Sequence, residues 1–305
     1  MNKILIISTN AIGDTYLSMS AISSIKAKFP NVEIYFLVAQ NSKFLFEYTE
    51  VKFVFTIHKQ IWGLITLVRK LRKNEFDFIF SFFSGRVNSF FLKFSKAKNR
   101  GGFLNFRKIN HWANKILIGT ILKGGKKDYI NWQPDENFLF LIKRILQKFD
   151  FPQSAVTKYV YDIGISGKYK HAVVFHPISK IKEKSLSKEQ ILSLVNFFNK
   201  NKEKVILLGD KKLNELFQNE NIDAEFTIQP NIKQLIDLVH CKLFISVDSF
   251  PLHIADAYNT NFVGIFCNTL PEAVLTHHEK AIKFSTHDLS KICPEQILNK
   301  LKSFF

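Results

Sequence analysis

The chain has 305 residues, 46% of them hydrophobic, and a formal net charge of +17. That length buries a sizeable core and predicts two domains of ordinary size; no run nears the roughly 20 apolar residues of a membrane-crossing helix, and Met1–Ser8 lacks the cleavage site of a secretory signal. Cys241, Cys267 and Cys293 are odd in number and far apart, so they read as buried thiols in a reducing compartment, not as a disulfide framework or metal set.

Lys3–Ser8 is a β-branched-rich run expected as a central parallel strand, with Thr9–Asp14 as the turn out of it. Thr15–Phe29 has helical spacing in Leu17, Ala21 and Ile25 and stops at Pro30; Val32–Val38 is the next strand. Such an opening begins a Rossmann-like half. It lacks Gly-x-Gly-x-x-Gly, which argues against a nicotinamide enzyme. Asp14 reads either as a helix N-cap or as a carboxylate able to accept a hydroxyl proton.

Further strands are expected at Phe53–Ile57 and Phe76–Phe82, with a basic helix Gly63–Lys73 between them. Phe90–Lys127 is the least regular stretch, mixing paired glycines, aromatics and cations; from Ile79 to Lys127 there are 11 basic residues and no carboxylate. Residues 1–150 hold 24 lysines and arginines against 10 carboxylates, whereas 151–305 hold 19 against 16. Such a field attracts polyanions: nucleic acid, anionic lipid headgroups or phosphorylated glycolipid. Asp135–Phe149 patterns as a helix. Pro, Gly and Ser over 150–170, around a short Tyr-Val-Tyr strand, mark a boundary, giving domains 1–155 and 156–305.

In the second half, Ala172–Phe175 is a buried strand followed by His176-Pro177-Ile178-Ser179, where His176 reads as a packed loop residue. Lys180, Lys182 and Lys184 then precede a helix running from Ser185-Leu186-Ser187 through Phe198. Lys204–Leu208 is a strand leading through Gly209-Asp210 into a helix with Glu215, and Ile232–Val239 is a helix. Leu243–Val247 is a buried strand ending at Asp248-Ser249, whose side-chain oxygens can cap the next helix. Pro251 suits that helix's first turn, with Leu252, Ala255 and Tyr258 near one face and His253 one step round. Phe262–Phe266 is a second buried strand. A polar helix start at the carboxyl end of a parallel strand is where phosphate-bearing ligands bind. Pro294–Phe305 is a final amphipathic helix, expected to pack back on the first domain.

Residues at opposite ends of the chain resemble the glycosyltransferase family that includes the ADP-heptose:lipopolysaccharide heptosyltransferases. Ile12-Gly13-Asp14, Ser20-Ala21-Ile22 and Phe29-Pro30 follow the family's N-terminal order. Asp248-Ser249-Phe250-Pro251-Leu252-His253-Ile254-Ala255-Asp256-Ala257, then Val263–Phe266 and Thr269-Leu270-Pro271, follow its C-terminal pattern, and His176-Pro177 with Lys184 is similar to a third segment. Phe250 stands where the family usually has Gly, and Leu186 where it usually has an aromatic residue. The resemblance implies an α/β fold of GT-B type: two Rossmann-like domains with parallel sheets facing across a cleft, the first binding acceptor and the second nucleotide-sugar. It implies Asp14 as the catalytic base and Gly13 on the acceptor side. Ser179, Lys184, Glu215, Asp248, Ser249 and His253 would bind the donor, with Lys184 approaching the diphosphate. A carboxylate near the ribose is Asp210 or Glu215, which spacing does not separate; Glu215 is the one carried forward.

The expected activity is an inverting, metal-independent transfer of a sugar, heptose from ADP-heptose, onto a lipopolysaccharide or lipooligosaccharide core. The ADP-sugar is a substrate, and no cofactor is expected. The sequence has no Asp-x-Asp, no P-loop and no Gly-x-Ser-x-Gly, and His277-His278 lacks zinc spacing. Expected partners are the nucleotide-sugar donor, a lipid A-core glycolipid and the cytoplasmic face of the inner membrane, reached through the basic N-terminal domain. Two other readings stay open: an idle binder of nucleotide sugar or glycolipid, on the ground of Phe250, and a nucleic-acid-binding protein, on the ground of the carboxylate-free stretch.

Overall fold

The structure is a computed structural model that describes residues 2–57, 61–83, 85–104, 127–131, 137–220 and 222–304. The chain divides into two compact units, Met1–Tyr161 and Asp162–Phe305. No helix among the described residues is long and apolar enough to cross a membrane.

The first unit runs β1 (Lys3–Ser8), α1 (Ile12–Met19), α2 (Ile22–Lys28), β2 (Glu33–Ala39), β3 (Phe53–Ile57), α3 (Ile61–Arg72), β4 (Phe76–Ser81), α4 (Arg86–Phe94), β5 (Ala97–Leu104), β6 (Lys127–Asn131) and α5 (Phe138–Gln147). Its strands pair in parallel in the order β3-β2-β1-β4-β5-β6. Strand order reverses between β1 and β4, and at such a point a crevice opens beyond the strands' carboxyl ends. One sheet face buries Leu5, Ile7, Leu37 and Phe55 against Val68 and Leu71 of α3 and Phe91 and Leu92 of α4. On the chain beyond α5, Phe149 and Phe151 stack edge-on against Phe80, with centroids 5.4 and 5.7 Å away. Gly101 makes room for them: a Cβ there would lie 2.7 Å from the Phe149 ring and 2.9 Å from that of Phe80.

The second unit repeats the plan. It runs β7 (Ala172–His176), a 3-10 turn (Lys182–Lys184), α6 (Lys188–Lys200), β8 (Lys204–Gly209), α7 (Lys211–Phe217), β9 (Glu225–Ile228), α8 (Ile232–Val239), β10 (Leu243–Val247), α9 (Phe250–Ala257), β11 (Phe262–Phe266), α10 (Pro271–Val274), β12 (Ala281–Lys283) and α11 (Pro294–Leu301). Its order, β12-β11-β10-β7-β8-β9, is again parallel and reverses between β7 and β10. A capping box starts α6: Ser187 Oγ accepts from the Gln190 N–H at 3.2 Å, and Gln190 Oε1 accepts from the Ser187 N–H at 2.6 Å. The Gln190 amide also donates to the carbonyls of Leu289 and Ile292, which fixes the approach to α11.

Several expectations change. The single helix over Thr15–Phe29 is two helices broken at Ser20-Ala21, whose N–H groups bond back three residues to Leu17 and Ser18. Ser18 turns its hydroxyl onto the Asp14 carbonyl at 2.8 Å, the local competition that shortens helices at serine. The Phe90–Lys127 stretch holds the end of α4 and all of β5, while residues 105–126 lie outside the described residues. Tyr159–Tyr161 is in no ladder; its tyrosines are anchors, with the Tyr16 hydroxyl donating to the Tyr159 carbonyl at 2.5 Å and that of Tyr161 to the Leu45 carbonyl at 2.8 Å. The final helix buries Ile297 and Leu301 in the second unit's core.

Candidate active site

The second unit gathers most of the candidate residues where its strand order reverses. β10 is a fully buried run, Leu-Phe-Ile-Ser-Val, so it delivers Asp248 and Ser249 to the sheet's carboxyl edge. β7 delivers His176 beside them, since Ser246 pairs with His176 in the ladder. Pro251 occupies the first turn of α9, where its missing N–H costs nothing. The side-chain capping expected of Asp248 and Ser249 does not occur, because both groups are used elsewhere. Ser249 Oγ lies 2.9 Å from His176 Nδ1 and 3.2 Å from Ser246 Oγ. Asp248 takes the ammonium of Lys184, with Nζ 2.5 Å from Oδ2.

Lys184 ends the 3-10 turn after β7, and its Nζ also donates to Thr269 Oγ1 at 2.7 Å. The Lys184 and Asp248 side chains are 17% and 10% exposed. This charge pair is largely out of water, where each group needs the other. Among the three lysines before α6, the pair singles out Lys184. Cys267 adds a weak contact, its thiol donating to the Glu183 carbonyl at 3.6 Å. Burial raises that thiol above its ordinary range, opposed by the nearby Lys184 ammonium.

His176 is more than loop packing. Burial pushes its imidazole down to about 4, with the Asp210 carboxylate pulling the other way. The ring is therefore neutral near pH 7. Asp210 itself caps α7, accepting from the Lys212 N–H at 2.9 Å. Glu215 is exposed farther along α7, and no hydrogen bond or ion pair among the described residues joins it to the cluster. Of these two carboxylates, Asp210, directly after β8, is the one at the sheet's carboxyl edge. Ser179 is half-buried in the loop after β7; its N–H donates to Ser185 Oγ at 2.9 Å, and its hydroxyl accepts from the Ile181 N–H at 3.4 Å. His253 is 6% exposed on α9. Asp256, deeper in the same helix, accepts from the N–H groups of Thr276 and His277 and faces His277 Nδ1 at 3.0 Å, which pins the loop after α10.

In the first unit Gly13 and Asp14 stand in the first turn of α1, at the carboxyl end of β1. Asp14 is half-buried, and its carboxylate accepts from the Ala11 N–H at 3.4 Å. It is thus the third helical residue, not the N-cap. Nearby, Asn88 of α4 clamps the ends of β1 and β4. Its Oδ1 accepts from the Thr9 hydroxyl at 2.5 Å and the Thr9 N–H at 3.2 Å, while its amide donates to the Phe83 carbonyl at 2.9 Å. Asn88 and Thr269 were not singled out as site residues from sequence, although Thr269 lies in the Thr269-Leu270-Pro271 segment, and Asp210 stood only as the alternative to Glu215.

Chemically, the second unit offers one ammonium, a helix start and a neutral imidazole–hydroxyl pair, an arrangement suited to an anionic ligand. The model of the family described as Glycosyltransferase family 9 (heptosyltransferase) matches residues 143–301. Lipopolysaccharide heptosyltransferase 3 of Escherichia coli is 22% identical over 276 residues, covering 83% of this chain and 80% of that protein. Among solved structures, a glycosyl transferase family 9 protein from Veillonella parvula has a TM-score of 0.76 at 14% identity, covering 99% of this chain and 97% of its own. Escherichia coli heptosyltransferase WaaC with ADP has a TM-score of 0.73 at 11% identity, covering 99% and 100%. These structural likenesses show a shared fold, that of the GT-B type.

Proposed function

The chain belongs to glycosyltransferase family 9 (heptosyltransferase) and is a glycosyltransferase; from that premise we propose that it moves a heptose from ADP-heptose onto a sugar of a lipopolysaccharide or lipooligosaccharide core, with inversion and without a metal. The observation that carries the donor half is the Lys184–Asp248–Thr269 cluster beside the start of α9. In this reading the Lys184 ammonium and the first-turn N–H groups of α9 take the charge of the departing diphosphate. Asp14 accepts the proton of the attacking hydroxyl. Ser179, Ser249, His253 and a carboxylate, Asp210 at the cap of α7 in preference to Glu215 within it, hold the rest of the donor.

The acceptor is a lipid A-core glycolipid, and the protein works at the cytoplasmic face of the inner membrane. What supports that place is charge: neither α3 nor α4 contains a carboxylate, and Arg69, Lys70, Arg72 and Lys73 are exposed.

The test is turnover with a panel of ADP-sugars and nucleoside-diphosphate sugars, in the presence and absence of chelator, with mass spectrometry of the core product. A heptosylated core formed equally well with chelator is the expected result; transfer only from a different donor would replace the heptose assignment. Phe250, half-buried at the first position of α9, keeps the idle-binder reading in view. Donor bound in equilibrium dialysis with no product would favour it.

A further inference from the structure

Three segments of the second unit meet on one ammonium. Lys184 comes from the turn after β7, Asp248 from the end of β10 and Thr269 from the third residue past β11. A lysine ammonium carries three N–H bonds in a fixed tetrahedral arrangement. One is taken by Asp248 Oδ2 and a second by Thr269 Oγ1, at 2.5 and 2.7 Å. With two directions held by separate strands, geometry sets the third, and no third protein acceptor for it occurs among the described residues. Asp248 alone would leave the ammonium free to swing around the carboxylate. The exit of β11 restrains the same turn a second time, through the Cys267 thiol on the Glu183 carbonyl.

We propose that Thr269 is a positioning residue: it holds the Lys184 ammonium so that its remaining N–H is aimed at the donor's diphosphate. Thr269 touches Lys184, not the substrate. The inference deepens the donor reading above and rests on it for the identity of the anion, though not for the anchoring itself. A lysine released from this anchor still attracts phosphate, but must be ordered anew on each binding event, and ordering a long side chain weakens binding.

The experiment compares Thr269→Val, which keeps the shape and removes the acceptor oxygen, with Thr269→Ser, which keeps the oxygen. The first readout needs no ligand: the rate at which acetic anhydride modifies Lys184, followed by mass spectrometry of the peptide. The valine variant is expected to react several-fold faster and the serine variant at the wild-type rate. The second readout is equilibrium dialysis with ADP and with adenosine. The valine variant is expected to lose about tenfold in ADP affinity, the scale of immobilising one long side chain. Adenosine binding is expected to stay unchanged, and serine to restore ADP. Wild-type labelling rates in the valine variant, an equal loss toward adenosine, or failure of serine to rescue would each overturn the proposal. A wild type that binds no ADP would instead overturn the donor reading, and the lysine labelling would still decide whether Thr269 anchors Lys184.

Discussion

At Asp14 the structural and the chemical duty of one carboxylate can be separated. Its oxygen accepts from the Ala11 N–H within the first turn of α1, and an asparagine oxygen accepts from the same donor. Asp14→Asn therefore removes the charge while leaving the turn intact. The expected result is a fall in kcat of about 10²–10⁴, the usual worth of a general base, with unchanged donor affinity in dialysis; near-wild-type turnover would end the base assignment. His176 makes a prediction about pH. Its folded imidazole sits at about 4 against an ordinary 6.5, so the unfolded chain binds more protons between those values. Its contribution to stability is complete above pH 6.5 and is lost as pH falls through 4. His176→Asn is expected to flatten the decline of the urea midpoint between pH 6.5 and 4.5 relative to wild type, and parallel curves would refute it. Motif spacing reached Lys184 and Asp248 because both flank regular elements. It did not separate Asp210 from Glu215 and it passed over Thr269, because their meaning comes from strands ending side by side, a juxtaposition that local pattern does not encode.

The elements most legible in sequence were fully buried strands and a strongly amphipathic helix. The expected spans of β10, β11 and α8 coincide with the observed ones, because continuous apolar runs and strong helical periodicity leave few alternatives. β5 escaped notice because its sequence, Ala-Lys-Asn-Arg-Gly-Gly-Phe-Leu, is polar and glycine-rich. Pairing with β4 and β6 makes it a strand, and one of those glycines admits two phenylalanine rings. Gly264 works alike within the candidate site's scaffold. A Cβ there would lie 2.7 Å from the Phe266 ring and 3.0 Å from Leu252 of α9. Gly264→Ala is expected to cost about 1–3 kcal/mol by overpacking, whereas Gly164→Ala, with nothing within 4 Å, serves as the neutral control; equal urea midpoints for the two would contradict this. For α3, neutralising Arg69, Arg72 and Lys73 to glutamine is expected to weaken binding to anionic vesicles about 10²-fold, at about 1 kcal/mol for each lost charge. Vesicle binding that survives the triple variant, or generic DNA displacing the vesicles, would move the basic surface away from the membrane assignment.

At the scale of the molecule, the sequence repeats one plan twice, and that duplication was readable from two strand–helix–strand openings. The chain's crossing from one unit to the other was less so. Residues 149–161 are bound to the first unit by interactions that composition does not reveal: Ser24 Oγ on the Pro152 carbonyl at 2.6 Å, Lys28 Nζ on the Phe149 carbonyl at 2.6 Å, and the two tyrosine hydroxyls. Among the described residues, each unit has a hydrophobic cluster built from its own side chains. On heating, such a chain is expected to absorb heat in two events, so one melting temperature would not describe it. ADP at a hundred times its dissociation constant would add about 2.7 kcal/mol to whichever event belongs to Asp162–Phe305 and leave the other where it was. A scanning calorimeter would thus report which half of the polypeptide receives the nucleotide before any product is made.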